Sequence, residues 1–252
     1  MKLKDGERVD VVNDRLSLIQ NKEGLTFGTD ALLLAGYISG SFSRALELGS
    51  GSGIISMLLL ARDKAMHVDA LEVQGSYAEL TERNAEYNSL SDRLTAIHTD
   101  IREYKAAAEY DCVFTNPPYM KATSGKMNGS SMKAIARHEL SGDIYDFCSS
   151  ASRLLKFGGS FFAVYRPDRL TDLIDAMRAS KTEPKRMTFV HADTLSSPSM
   201  VLVEGRRGGR CGLKLTRPLI IYTDGGHGEY TDDMNYIMET GNFPEDFRIK
   251  NG

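Results

Sequence analysis

Leu46-Glu47-Leu48-Gly49-Ser50-Gly51-Ser52-Gly53 sets the fold of this chain, because the short apolar strand Arg44–Leu48 runs into a glycine-rich turn and the apolar helix Ile54–Arg62 leaves it. Strand, tight turn and helix in that order open a βαβ unit. Glycine allows the left-handed backbone that a tight turn needs, and it lets main chain approach a ligand closely. The helix start beyond the turn presents N–H groups with no intrahelical partner. The spacing argues against a nicotinamide dinucleotide: G-x-G-x-x-G would place glycine at position 54, where Ile54 stands. Glu47, at the strand end, would repel a pyrophosphate and suits a ligand that carries an ammonium group.

Working outward, strands and helices alternate. Arg8–Val12 and Leu16–Gln20 read as two short strands about a turn at Asn13-Asp14, and a helix runs through Ala31–Ile38 with Thr29 or Asp30 as its N-cap. After the glycine turn come a strand at His67–Val73, a helix at Tyr77–Asn88 with Leu80, Asn84 and Tyr87 on one stripe, and strands at Thr95–Thr99 and Asp111–Thr115. A helix at Ile144–Leu155, a strand at Gly159–Tyr165, a helix at Leu170–Ala179 and late strands at Met187–Val190 and Met200–Glu204 complete the series. The alternation predicts an α/β, Rossmann-like, doubly wound fold with a mostly parallel seven-stranded sheet and a late antiparallel hairpin. One domain is expected over 1–252, with 1–28 as a strand extension, 29–222 as the catalytic core and 223–252 as an acidic C-terminal segment. In such sheets ligands bind at the carboxyl ends of the strands.

The composition is that of a soluble globular chain: 252 residues, 41% hydrophobic and 26% charged, with a net charge of −3. Cys112, Cys148 and Cys211 form no CxxC pair, and the five histidines show no metal-ligand spacing, so no metal and no disulfide framework is expected. The opening MKLKDGERVD has no apolar core of a secretory leader, and no apolar run is long enough for a bilayer. A cytoplasmic protein without a membrane partner is expected, with a monomer as the working assumption.

Two further acids follow the next strands. Glu72 ends the strand Leu71-Glu72-Val73, where a carboxylate can accept both hydroxyls of a ribose. Asp100, in Thr99-Asp100-Ile101, can accept from an adenine amino group. A nucleoside with an ammonium tail and no phosphate satisfies the set, and S-adenosylmethionine is such a ligand. After the fourth strand stands Asn116-Pro117-Pro118-Tyr119. Adenine N6 is a poor nucleophile because its lone pair is delocalised into the ring. Accepting both of its hydrogens, at the Asn116 side-chain oxygen and the Pro117 carbonyl, would turn the lone pair toward a methyl donor. Proline fixes φ and has no competing N–H, and Tyr119 offers a face on which a flat base can stack. Away from a cofactor loop the same tetrapeptide would read as a rigid turn.

These residues resemble class I S-adenosylmethionine-dependent methyltransferases over Arg44 to about Tyr165. The resemblance implies that Gly49, Gly51 and Gly53 line the cofactor, that Glu72 holds ribose, and that Asp100 with Ile101 binds adenine. Asn-Pro-Pro-Tyr is the signature of methyltransferases acting on amino and amide nitrogens. With Leu25–Ala35 (LTFGTDALLLA) and Ala136–Glu139 (ARHE), the chain is similar to the bacterial tRNA(Val) adenine-N6-methyltransferase family, which modifies the adenosine beside the anticodon, tRNA nucleotide 37. That resemblance implies a tRNA substrate, and Phe27, Thr29 and Asp30 closing over the amino-acid end of the cofactor. Cations at Lys121, Lys126, Lys133 and Arg137 could hold phosphates on either side of an extruded base. Arg206, Arg207 and Arg210, at a glycine-rich hairpin tip, could add a second contact, or either run could be a solvated face. Rival readings are a glutamine-N5 methyltransferase of release factors, an RNA guanine-N2 methyltransferase, and an idle RNA-binding protein that retains the fold.

Overall fold

The structure, a computed structural model, describes residues 3–22, 28–118, 142–225 and 228–248. Strands β1 (Glu7–Asn13) and β2 (Leu16–Asn21) form an antiparallel hairpin. Its turn is made by Asn13, whose side-chain oxygen accepts from Arg15 N at 2.9 Å and Leu16 N at 3.0 Å, so a short polar side chain replaces backbone pairing. There follow α1 (Thr29–Tyr37), β3 (Phe42–Leu48), α2 (Ile54–Ala61), β4 (Ala65–Glu72), α3 (Gly75–Tyr87), β5 (Leu94–His98) and β6 (Tyr110–Thr115). Beyond residue 141 come α4 (Ile144–Leu154), β7 (Leu155–Tyr165), α5 (Leu170–Ala179), β8 (Thr182–His191), β9 (Pro198–Arg207), β10 (Lys214–Leu215), β11 (Leu219–Ile220) and α6 (Asp232–Thr240).

The main sheet has the order β10-β8-β9-β7-β6-β3-β4-β5, with β11 also paired to β8. All neighbours are parallel except β9, which runs against both β7 and β8. Seven long strands are therefore joined by two strands of two residues, β10 and β11, too short to carry any alternation.

Burial on both faces explains the near-continuous apolar strands. Ala45, Val68, Ala70, Cys112, Phe114, Phe162 and Val164 enter one core, with α1 and α2. Their alternate neighbours Leu46, Leu71, Val113, Phe161 and Ala163 enter the other, with α4 and α5. The first core also takes Leu16 and Leu18 from the hairpin and Met234, Ile237, Phe243 and Phe247 from the C-terminal segment.

The acidic C-terminal segment thus contributes a helix and apolar residues to the body of the protein. Thr231 caps α6, accepting from Met234 N at 3.3 Å, and the acids have partners. Arg217 forks onto Asp233 (Nη2 to Oδ1 2.9 Å) and reaches Asp246 (Nε to Oδ2 2.6 Å), with its guanidinium 4.2 Å from the centre of the Phe247 ring. One cation of the late basic run is therefore absorbed by the acidic segment. Lys64, 6% exposed, points its ammonium at the carbonyls of Ala35 (2.8 Å) and Ile38 (2.8 Å), closing the C-terminal end of α1. No helix among the described residues is long and apolar enough to cross a membrane, and no group of His, Cys, Asp and Glu among them could hold a metal.

The antiparallel β9 gives the sheet two unlike edges. The carboxyl ends of β3, β4, β6 and β7 share one edge with the β8–β9 turn, residues 192–197, because Tyr165 pairs with Val201 and His191 with Pro198. The carboxyl end of β9 lies on the opposite edge, where Arg206 pairs with Ser160, itself the partner of Cys112 near the start of β6.

Candidate active site

The glycine turn between β3 and α2 needs its glycines. Gly49, Gly51 and Gly53 have φ of 72°, 55° and 78°, the left-handed region. The turn is pinned from outside. Gly49 N and Ser50 N both donate to Leu71 O at 2.9 Å. Thr81 Oγ1 donates to Gly51 O at 2.9 Å, and Asn84 Nδ2 to Ser52 O at 3.0 Å. A Cβ on Gly53 would lie 2.7 Å from the Thr81 methyl, whereas a Cβ on Gly51 would meet nothing within 4 Å. The open side of the loop is therefore at Gly51.

Glu72, 5% exposed, accepts from Gly51 N at 2.9 Å through Oε2 and from Gln74 N at 2.9 Å through Oε1. It both shapes the loop and stands at its open side. Asp100 is held by Arg102, whose Nε lies 2.9 Å from Oδ1 and Nη2 2.5 Å from Oδ2, and whose backbone N adds a 2.8 Å bond. The guanidinium keeps the Asp100 carboxyl below its ordinary range. An adenine amino group would have to share Asp100 with Arg102. Ile101 is 4% exposed and belongs to the second core.

Glu47 differs from the expectation of a carboxylate facing an ammonium. It is 1% exposed, and it turns toward α2, accepting from Ser56 N at 3.2 Å and from the Ser56 hydroxyl. Burial, with Glu72 adding its charge, outweighs the two bonds from Ser56 and raises its pKa to about 8. Its part in the observed structure is to fasten the first turn of α2.

Asn116 and Pro117 follow β6 on the same edge. Thr115 Oγ1 donates to Leu48 O at 2.8 Å, tying the end of β6 to the last residue before the glycine turn. Pro117 is buried and Pro118 exposed. Asn116 Nδ2 donates to Asp30 Oδ2 at 2.8 Å. Asp30 lies in the first turn of α1, whose N-cap is Gly28 and not Thr29 or Asp30 as expected; Thr29 is exposed. Phe27, Tyr119, Lys121, Lys126, Lys133 and Arg137, with the Ala136–Glu139 motif, lie outside the described residues.

Arg206, Arg207 and Arg210 are not at a hairpin tip. The tip of the β8–β9 hairpin is residues 192–197, while these arginines follow the antiparallel β9 to the far edge. Arg206 Nη1 donates to Gly158 O at 3.0 Å, Arg207 Nη1 to Glu109 at 3.0 Å, and the Arg210 carbonyl accepts from Lys185 Nζ at 3.0 Å. The six residues of β6 separate that edge from Asn116, about 20 Å at strand rise.

Two polar residues of α3, Thr81 and Asn84, and its C-cap Asn88 make contacts that the helical pattern alone does not assign. Asn84 exchanges bonds with Ile19 (N to Oδ1 2.7 Å, Nδ2 to O 3.2 Å), and Asn88 does the same with Ser17 (3.0 and 2.8 Å). Positions 81, 84 and 88 fall on one helix face. That polar stripe was a legible signal, and it faces inward while Tyr87 is 46% exposed.

Residues 21–177 match the model of a family described as methyltransferase small domain. A tRNA1(Val) (adenine(37)-N6)-methyltransferase of Aeromonas hydrophila is 30% identical over 224 residues, 86% of this chain and 89% of that protein. One of the same name from Aliivibrio fischeri is 33% identical over 116 residues, 46% of this chain and about half (49%) of the relative. Among solved structures, a predicted O-methyltransferase from Agrobacterium tumefaciens superposes with a TM-score of 0.69 at 23% identity, covering 85% of this chain and 98% of that one. A geranyl diphosphate C-methyltransferase from Streptomyces coelicolor, solved with S-adenosyl-L-homocysteine, gives 0.52 at 14% identity over 71% and 75% of the two chains.

Proposed function

The chain belongs to the methyltransferase small domain family, and from that premise we propose that it transfers a methyl group from S-adenosylmethionine to N6 of an adenine in tRNA, the adenosine at nucleotide 37 of tRNA(Val). The residues at the carboxyl edge fit the cofactor: the glycine turn opens at Gly51, where added side-chain atoms would meet nothing, and the Glu72 carboxylate stands beside it. Gly49, Gly51 and Gly53 would border the amino-acid end, Glu72 the ribose, and Asp100 with Ile101 the adenine. When bound, the cofactor supplies a methyl group on a sulfonium.

The chain's own work is placement. The Asn116 side-chain oxygen and the Pro117 carbonyl would accept the two N6 hydrogens, and Tyr119 would stack the base. Such groups lower the barrier by orientation and by fixed dipoles, with no strong base required. The observation that carries this reading is the Thr115–Leu48 bond, which holds the start of Asn116-Pro117 against the strand that opens into the glycine turn.

The test is transfer of labelled methyl groups to total tRNA, with nucleosides resolved by mass spectrometry. Wild-type protein is expected to form N6-methyladenosine, and Asn116→Ala to lose about 100-fold or more in kcat, the scale of removing one aligned polar group. Label in a release factor instead of RNA, or full activity of N116A, would overturn the proposal.

A further inference from the structure

We propose that Asp30 is a positioning residue that fixes the sense of the Asn116 amide, not a contact to the cofactor. The inference rests on the reading of Asn116 as the acceptor for the substrate nitrogen. The two ends of a side-chain amide have nearly the same shape and opposite hydrogen-bonding character, and only their partners decide which end points where. A reversed Asn116 would set its NH2 against the NH2 of the substrate, donor against donor.

An ionised carboxylate accepts and cannot donate. Asp30 Oδ2, 2.8 Å from Asn116 Nδ2, therefore selects one of the two amide orientations. The carboxylate is itself held at the start of α1. Its Oδ1 accepts from Ala31 N at 2.9 Å in the first turn of α1, where the helix dipole favours a negative charge. Beside it sits Gly28, where a Cβ would come within 2.6 Å of the same Oδ1. Residue 28 is thereby limited to glycine unless the carboxylate moves. The pair joins positions 86 residues apart, so it exists only once α1 has packed beside the end of β6.

The experiment is a double-mutant cycle of Asp30→Ala and Asn116→Ala in the full chain, with kcat, KM for tRNA and calorimetric affinity for S-adenosylhomocysteine measured on each. Expected for D30A is a fall in kcat of about 10- to 100-fold, with cofactor-product affinity and KM within about threefold of wild type. The double variant is expected to match N116A alone, because groups acting as one unit are not additive. A loss in the double equal to the product of the two single losses would overturn the inference, as would weaker S-adenosylhomocysteine binding with unchanged kcat. Loss in N116A with full activity in D30A defeats the positioning role alone; full activity in N116A defeats the underlying reaction as well. Should D30A fail to fold, Asp30→Asn preserves the shape while supplying a group that can both donate and accept. Its kcat is expected to fall with S-adenosylhomocysteine affinity intact, and wild-type kcat in D30N would overturn the role given to the carboxylate.

Discussion

Asn84 closes a two-way pair with the backbone of Ile19 and, through the same Nδ2, holds the carbonyl of Ser52 in the glycine turn. One buried amide thus joins the N-terminal hairpin to the glycine turn at the carboxyl edge of the sheet. Asn84→Asp keeps the shape but replaces the donor with an acceptor facing two carbonyls. The expected cost is about 2–4 kcal/mol of unfolding free energy, the scale of a buried polar group deprived of its partner, measured by urea denaturation. Affinity for S-adenosylhomocysteine should fall with it, because Ser52 loses its tether.

Two glycines in the same turn should fail differently. At Gly53, φ of +78° and a Cβ 2.7 Å from Thr81 make Gly53→Ala a stability defect, about 1–2 kcal/mol from the left-handed backbone alone and more from the clash. At Gly51, φ is +55° but the space is open. Gly51→Ala is expected to lose more cofactor affinity than stability, because its methyl would enter the volume assigned to the ligand. Calorimetric titration beside a thermal melt separates the two; equal behaviour of both variants would contradict the assignment of the open side.

Glu47 should impose a pH dependence on stability. Its folded pKa, about 8, lies above the ordinary carboxylate range. The stabilisation it contributes is therefore complete below about pH 4.5 and is lost as pH rises through 8. Glu47→Gln mimics the protonated form. The difference in unfolding free energy should move in favour of the glutamine variant by about 1 kcal/mol or more between pH 5 and 8. A pH-independent difference would show that Glu47 is ionised in the folded protein throughout.

How much of this was legible follows from the range of each signal. The glycine turn, the strand ends at Leu48, Glu72 and Thr115, and the order of elements rest on local alternation and spacing, and they appear close to where the sequence puts them. The Asp30–Asn116 pair had no local signal, since neither residue carries a mark of the other across 86 positions. The misplacement of Arg206 and Arg207 has a different cause. The glycines after Met200–Glu204 suggest a hairpin turn behind that strand; in the structure β9 is the second strand of its hairpin with β8, so the turn lies at 192–197 and the carboxyl end of β9 at the far edge. A strand's own residues do not state its direction. On α3, Asn84 was read as one of a stripe with Leu80 and Tyr87, yet the buried polar face runs through Thr81 and Asn84.

Arg217 binds the C-terminal segment to the body of the protein. Arg217→Ala removes the ion pairs to Asp233 and Asp246 and uncovers one face of Phe247. Because the groups are partly exposed, the expected loss is about 1 kcal/mol and smaller at high salt. Limited proteolysis should cut within 228–248 sooner in this variant, while a cut pattern identical to wild type would show that the apolar contacts of α6 suffice.

The reversed β9 also brings a turn to the edge where β3, β4, β6 and β7 end. Ladders on both flanks fix β8 and β9, and the turn between them is tied at its base, where Asp193 accepts from Leu195 N and Ser196 N and Ala192 O accepts from Tyr222 N; Leu195 at its crown is 96% exposed. Substitutions confined to that crown would redraw the rim at the carboxyl edge of the sheet and leave the ladders beneath it in place.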